Sequence, residues 1–194
     1  MRRQRLIEAA VLAGCVALWG NVAHADGGGA NSEEFSARLS GFNVTGGLPT
    51  TANPGAETGA ILTDGTGTVQ LDLDKKSQTA TYTLTYSGLT SSVLQAHIHF
   101  GKVHTPGGIM IFFCSNLGNG PTGTPACPAN GGTVSGTWTA SSVVAIPGQN
   151  VTAGDFGALI DALDSNTAYA NVHTMNFKAG EIRGQVRKSQ KDQN

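Results

Sequence analysis

The chain has 194 residues, a formal charge of -1 at pH 7 and 27 glycines, and this length suits one domain that buries a hydrophobic core of its own. The near-neutral charge excludes the basic surface of a nucleic-acid-binding protein, so no nucleic-acid partner is expected. Abundant Gly, Thr and Ser, with few strong helix formers, favour strands and turns over helices.

The first 25 residues have the pattern of an export signal. Arginines at positions 2, 3 and 5 precede an apolar run over 9–20, and Ala23-His24-Ala25 forms a small-x-small cleavage site before Asp26. The apolar run is too short to span a bilayer as a helix. We therefore expect a mature chain that begins at Asp26, has no transmembrane segment and is periplasmic or secreted, with a charge of -3 once the signal is removed.

A lipoprotein is the alternative form of export. Leu12-Ala13-Gly14-Cys15 resembles a lipobox, in which Cys15 would be lipidated and would become the first residue of the mature chain. Cleavage there would leave Glu8 inside a very short apolar core, so the site before Asp26 is preferred. Both alternatives export the protein.

Alternation of apolar and polar residues predicts eight short strands after a flexible Gly-rich lead-in over 26–34. The predicted strands are 35–39, 68–73, 80–86, 93–100, 109–113, 133–139, 169–174 and 181–187. The segment 43–66 is too rich in Gly, Pro and Thr for an assignment, and the polar tail 188–194 is expected to fray. One helix is predicted, with Thr152 as N-cap, Asp155 in its first turn, and Phe156, Leu159, Ile160 and Leu163 at helical spacing.

Eight short strands separated by turns, with one short helix, predict an all-β protein. The expected architecture is an antiparallel β-sandwich in a single domain over 35–187.

Cys114 and Cys127 are the cysteines that remain after the signal is removed. In an oxidising compartment such a pair is expected to form a disulfide. The bridge would close a loop of turn-forming residues and contribute roughly 3 kcal/mol. The alternative is a pair of thiolate metal ligands.

Histidines define the candidate site. On a strand, His97 and His99 share one face, and the later strand places Tyr169, Asn171 and His173 on one face. Both strands have apolar residues behind these side chains, so both must turn their apolar faces to the same core. We therefore expect His97, His99 and His173 to lie near one another on adjacent strands, with His104 on the loop that follows.

Two roles are compatible with this histidine face. Imidazoles at i and i+2 on a strand are close enough to share one metal ion, copper or zinc, with His173 or His104 completing the set. Copper-zinc superoxide dismutases also carry a His-x-His strand on a sandwich, which is an analogy only. The alternative role is structural, with the imidazoles hydrogen-bonded to neighbouring strands. Glu181 and Arg183 share a strand face beside Gln185 and are expected to form an exposed polar face of little energetic weight.

Five motifs span residues 35–186, namely FSARLSG from Phe35, TYTLTYSGL from Thr81, AHIHFG from Ala96, YANVHT from Tyr169 and GEIRGQV from Gly180. Together they resemble the CHRD domain, which is named after chordin. The resemblance implies an extracellular or envelope-located β-sandwich module, and it places Asn171, Glu181 and Arg183 on a polar face within the family motifs. In chordin such domains belong to a secreted antagonist of bone-morphogenetic growth factors, whereas single-domain bacterial members have no assigned activity.

The sequence departs from the family pattern at two positions. Segment 43–57 lacks the usual Glu-Val-Pro run, and Lys178 stands where a proline is common before Gly180. Both departures concern loops.

The function predicted from the sequence is that of an exported, non-enzymatic binding or surface module. Its ligand would be an extracellular or envelope protein or a glycan. No Ser-His-Asp arrangement, phosphate-binding loop or pair of catalytic carboxylates stands out. The alternative is an envelope metalloprotein that uses the His-x-His strand to bind copper or zinc.

Overall fold

The computed structural model describes residues 32–45 and 59–189, which contain nine strands and one α-helix. The strands are β1 Ser32–Ser40, β2 Thr66–Asp74, β3 Thr79–Ser87, β4 Val93–Phe100, β5 Gly108–Ser115, β6 Gly132–Trp138, β7 Ala168–Thr174, β8 Ile182–Gln185 and β9 Arg187–Lys188, and the helix is α1 Phe156–Asp164. The all-β class with one short helix is therefore confirmed.

The strands form one antiparallel sheet that rolls up around a single core. Their order is β5-β4-β7-β8-β1-β2-β3-β6, with β9 beside β1. The two ends of this series meet, because the Trp138 indole of β6 donates a hydrogen bond of 2.8 Å to the Phe112 carbonyl of β5. The Tyr82 hydroxyl of β3 donates a similar bond of 2.8 Å to the Phe113 carbonyl. The result is a nearly closed sandwich.

The alternation of apolar and polar residues in the sequence accounts for the β2–β3 hairpin. Val69, Leu71 and Leu73 are buried, whereas the residues between them are exposed. Strand β7 differs, because it is buried at every position, as a strand must be when both faces are covered. One face of β7 packs on the core, and loops cover the other face, which contains the candidate site.

Most strand ends differ from the prediction by one or two residues, and three differences have a specific cause. Strand β1 begins at Ser32 because its pairing with β2 extends to Asp74, beyond the alternating pattern. The last predicted strand is divided at Val186 into β8 and β9, and β9 pairs with β1. The helix N-cap is Asp155, whose carboxylate accepts from the Ala158 amide, so the assignment of Thr152 was wrong.

Several sequence predictions lie outside the described residues. They are the signal peptide, the cleavage site before Asp26, the lipobox at Cys15, most of the lead-in, residues 46–58 of the unassigned segment and residues 190–194. No helix among the described residues is long and apolar enough to cross a membrane.

Cys114 and Cys127 form a disulfide, as predicted, so the alternative of two thiolate ligands was wrong. The loop between them has a second support in the side chain of Asn116. Its amide donates to the carbonyls of Val93 and Cys127, and its carbonyl oxygen accepts from the Cys127 amide. The loop is therefore held by more than turn-forming residues.

Candidate metal centre

Three histidines converge because β4 and β7 are antiparallel neighbours in the sheet. In this register His173 is opposite Gln95, one row along the face from His97. The ring centroid of His97 lies 4.6 Å from that of His173 and 5.0 Å from that of His99. One nitrogen from each of the three rings lies within 4.8 Å of the other two. This spacing suits a shared small ligand.

Loops cover the histidine face, so the three rings are at most 7% exposed. The loop between β4 and β5 places the Gly107 carbonyl 2.9 Å from Nδ1 of His99. The turn after β7 places the Lys178 carbonyl 2.7 Å from Nδ1 of His173. Each contact fixes the rotation of one ring.

These contacts also determine where the protons lie. A carbonyl oxygen can only accept, so Nδ1 of His99 and of His173 carries the hydrogen and Nε2 holds a lone pair. Nδ1 of His97 is 3.1 Å from Nε2 of His99 and therefore donates to it. Nε2 of His97 and Nε2 of His173 are left as buried acceptors with no partner among the described residues.

Burial lowers the pKa of all three imidazoles. For His97 the neighbouring His173 and His99 lower the pKa further. The pKa of His99 is lowered to about 3, chiefly by burial, although its hydrogen bond to the Gly107 carbonyl acts in the opposite direction. Burial also lowers the pKa of His173. The three rings are therefore neutral at physiological pH, which is the form that binds metal ions.

Tyr169 links this cluster to a buried cation. Its ring lies parallel to that of His99, with centroids 4.8 Å apart, and the guanidinium carbon of Arg183 is 3.5 Å from the ring centroid. The strand order β4–β7–β8 places Tyr169 between the two. Its hydroxyl accepts from the Gly107 amide at 3.1 Å. Alternation in the sequence put Tyr169 on the histidine face but gave no sign of this role.

The expectation of an exposed polar face at Glu181 and Arg183 was wrong. Glu181 is fully buried and Arg183 is 3% exposed. The Glu181 carboxylate accepts hydrogen bonds from the Thr63, Thr90 and Thr174 hydroxyls and from the Thr90 amide. The two charged groups are not paired with each other. They are buried because loops, which alternation does not predict, pack over the polar face of β8.

Asn171 shapes the turn after β7. Its amide nitrogen donates to the Ala179 carbonyl at 3.1 Å, and its side chain fills the space next to Gly180. A Cβ atom at Gly180, where φ is +124°, would collide with the Asn171 amide. Glycine is therefore required at this position, two residues after the Lys178 carbonyl that orients His173.

His104 is not part of the histidine cluster. It lies exposed on the loop between β4 and β5 in the left-handed conformation, with φ of +59°. It lines an open cleft together with Arg183. Of the four histidines proposed from the sequence, the structure thus brings together His97, His99 and His173 and leaves His104 apart.

Comparison with known families gives one match. The model of the CHRD domain family matches residues 35–186, a range that contains the three clustered histidines, Tyr169 and Arg183. No curated protein sequence matches the chain.

Proposed function

Because the chain belongs to the CHRD domain family, we propose that it is an exported, non-enzymatic CHRD module whose three-histidine centre holds one copper or zinc ion. An extracellular or envelope protein or a glycan would be the partner of such a module. The metal is the part of the proposal that the geometry supports best.

The observation that carries it is the pair of unpartnered Nε2 atoms on His97 and His173. A buried acceptor without a hydrogen bond costs about 1–3 kcal/mol, and here two rings of the same cluster each have one. Bonds of about 2.0 Å from one ion to three imidazoles require nitrogens roughly 3.3 Å apart. The present separation of up to 4.8 Å would therefore have to contract by roughly 1.5 Å when an ion binds.

A purely structural role explains the other ring nitrogens equally well but leaves these two unexplained. The Nδ1 bonds of His99 and His173 to backbone carbonyls fix the rings in either case. Metal-binding histidines generally donate their second N–H in this way, which orients the ring and exposes the other nitrogen. A role confined to sheet packing would need further donors for Nε2 of His97 and of His173.

The ligand chemistry favours copper or zinc. Imidazole nitrogen suits both ions, whereas calcium and magnesium prefer oxygen. The buried carboxylate of Glu181 already accepts hydrogen bonds from threonine hydroxyls and a backbone amide, so it is not counted among the metal ligands. Since the three rings are at most 7% exposed, a substrate has little access to the ion. Enclosure of this kind favours metal retention over catalysis.

Export rests on two features of the chain. The first 25 residues have the pattern of a cleaved signal, and the Cys114–Cys127 disulfide is typical of oxidising compartments. Both features support the proposed periplasmic or secreted location, with a lipid anchor at Cys15 as the alternative.

Elemental analysis of untagged protein, purified without chelator, tests the metal centre. We expect one copper or zinc ion per chain in the wild type. His97→Gln combined with His99→Gln should abolish binding, whereas the control His104→Gln should retain it because His104 lies outside the cluster. A wild-type protein that binds neither ion, even after incubation with an excess of Cu(I) or Zn(II), would refute the proposal and leave a water molecule as the partner of the Nε2 atoms.

A further inference from the structure

A second feature, separate from the histidine cluster, is a cleft of about 670 Å³ on the outer face of β1, β2 and β8. The loop between β4 and β5 forms one wall. Its charged and titratable lining residues are Arg38, Arg183, Arg187 and His104, and no aspartate or glutamate among the described residues lines it. Basic groups are thus concentrated in one concave site of a chain whose overall charge is -1.

Arg183 has no counter-ion among the described residues, although it is 3% exposed. Its guanidinium donates to the Thr45 hydroxyl and to the carbonyls of Lys102 and Thr105, and it stacks on Tyr169. All of these partners are neutral. A buried charge without a counter-ion is expensive, and burial accordingly lowers the pKa of Arg183. An anion in the cleft would supply the missing charge.

Arg38 and Arg187 flank this buried group. Both are exposed, and neither side chain has an ion-pair or hydrogen-bond partner in the part of the chain that the structure describes. The nearest acidic side chains on this face of the β1–β2 pair are Glu34 and Asp72, which are directly opposite each other. Glu34 is four residues from Arg38, about 13 Å along an extended strand. Arg38 is therefore separated from these two carboxylates, whereas Arg187 lies opposite Ser36, one row closer to them.

We propose that this cleft binds an oxyanion, namely the carboxylate, phosphate or sulfate group of a small molecule. Arg183 is its buried anchor, and Arg38 and Arg187 complete the site from the rim. A guanidinium presents parallel N–H donors that match the two oxygens of such a group. The volume lies within the range of small-molecule sites. None of its arginines belongs to the histidine cluster, although Arg183 and His99 both stack on the Tyr169 ring.

Calorimetric titration of metal-free protein tests the site, with inorganic phosphate, inorganic sulfate and citrate as separate probes. Metal is removed with a chelator, and the chelator is then removed by gel filtration because it is itself an anion. We expect one saturable site per chain for at least one probe, and the tightest probe identifies the preferred group. Amide resonances of Arg38, Thr68 and Arg187 should shift in the same titration.

Variants that remove one charge distinguish a specific binding site from nonspecific electrostatic attraction. Arg38→Gln and Arg187→Gln should each weaken binding about threefold or more without changing metal content. The matched control is Lys76→Gln, which removes one charge from the exposed turn between β2 and β3 and should leave the affinity unchanged. Absence of saturable binding by all three probes, or equal weakening by the control, would overturn the proposal.

Discussion

Nδ1 of His97 lies 3.1 Å from Nε2 of His99, so the two imidazoles of one strand share a buried hydrogen bond. An ion bound by both rings would occupy the Nε2 lone pair of His99 and displace this bond. In the metal-free protein Nδ1 of His97 donates its proton to this bond, and Nε2 of His97 has no partner among the described residues. Under the proposed metal binding, a bond to the ion would replace this hydrogen bond.

The metal-free protein should lose stability as the pH falls from 7 to 5. The three histidines remain neutral when folded because burial lowers their pKa, to about 3 for His99, whereas in the unfolded chain they take up protons below about pH 6.5. The unfolded state then binds more protons, so acid favours it. The upper limit is about 2 kcal/mol per histidine at pH 5.

Urea unfolding at the two pH values measures this loss. The His97→Gln and His99→Gln double variant serves as the control, since it retains only His173 of the cluster and should show a clearly smaller loss. An equal loss in both proteins would mean that other groups cause the pH dependence.

Replacing Cys114 and Cys127 by alanine should lower the free energy of unfolding by up to about 3 kcal/mol, because the closed loop no longer restricts the unfolded chain. The native loop should nevertheless persist, since Asn116 still bonds Val93 and the backbone of residue 127. Thermal unfolding and amide exchange of the loop measure the two effects. Free thiols in the exported wild-type protein would contradict the assigned bridge.

Gly180→Ala should destabilise the protein by about 2 kcal/mol or more, because the added Cβ meets the Asn171 amide in a backbone conformation that suits glycine. The displaced turn should also weaken metal binding through the Lys178 carbonyl that orients His173. Gly148→Ala is the matched control, since no atom lies within 4 Å of a Cβ there. Similar melting temperatures for the two variants would contradict the role of Gly180.

The exported chain should begin at Asp26 and carry no acyl group, given the Ala23-His24-Ala25 site. Intact mass of protein recovered from the envelope or the medium decides this. A mature mass that includes Cys15 with lipid would establish the lipoprotein form instead.

Much of the fold could be predicted from the sequence because the alternation of apolar and polar residues shows which side chains share a face of a strand. It placed His97 and His99 opposite Ala96 and Ile98 on β4, and the structure buries the latter two in the core. Alternation could not predict the second layer over the histidine face, because that cover consists of loops brought there by tertiary packing. For this reason Arg183 and Glu181 were expected to be exposed.

The predicted element boundaries differ from the structure where two neighbouring residues are equally suitable as the end of an element. Thr152 and Asp155 are both capable N-caps, and the choice of Asp155 depends on where the Phe156 and Leu159 side chains enter the core. The start of β1 likewise depends on its pairing with β2 and not on its own composition.

X-ray absorption at the metal edge of the loaded protein tests the metal centre most directly. The proposal predicts a first shell with three imidazole nitrogens at about 2.0 Å and no sulfur ligand, and loss of this shell in the His97→Gln and His99→Gln double variant. A first shell of oxygen alone, or the same spectrum from wild type and double variant, would contradict it.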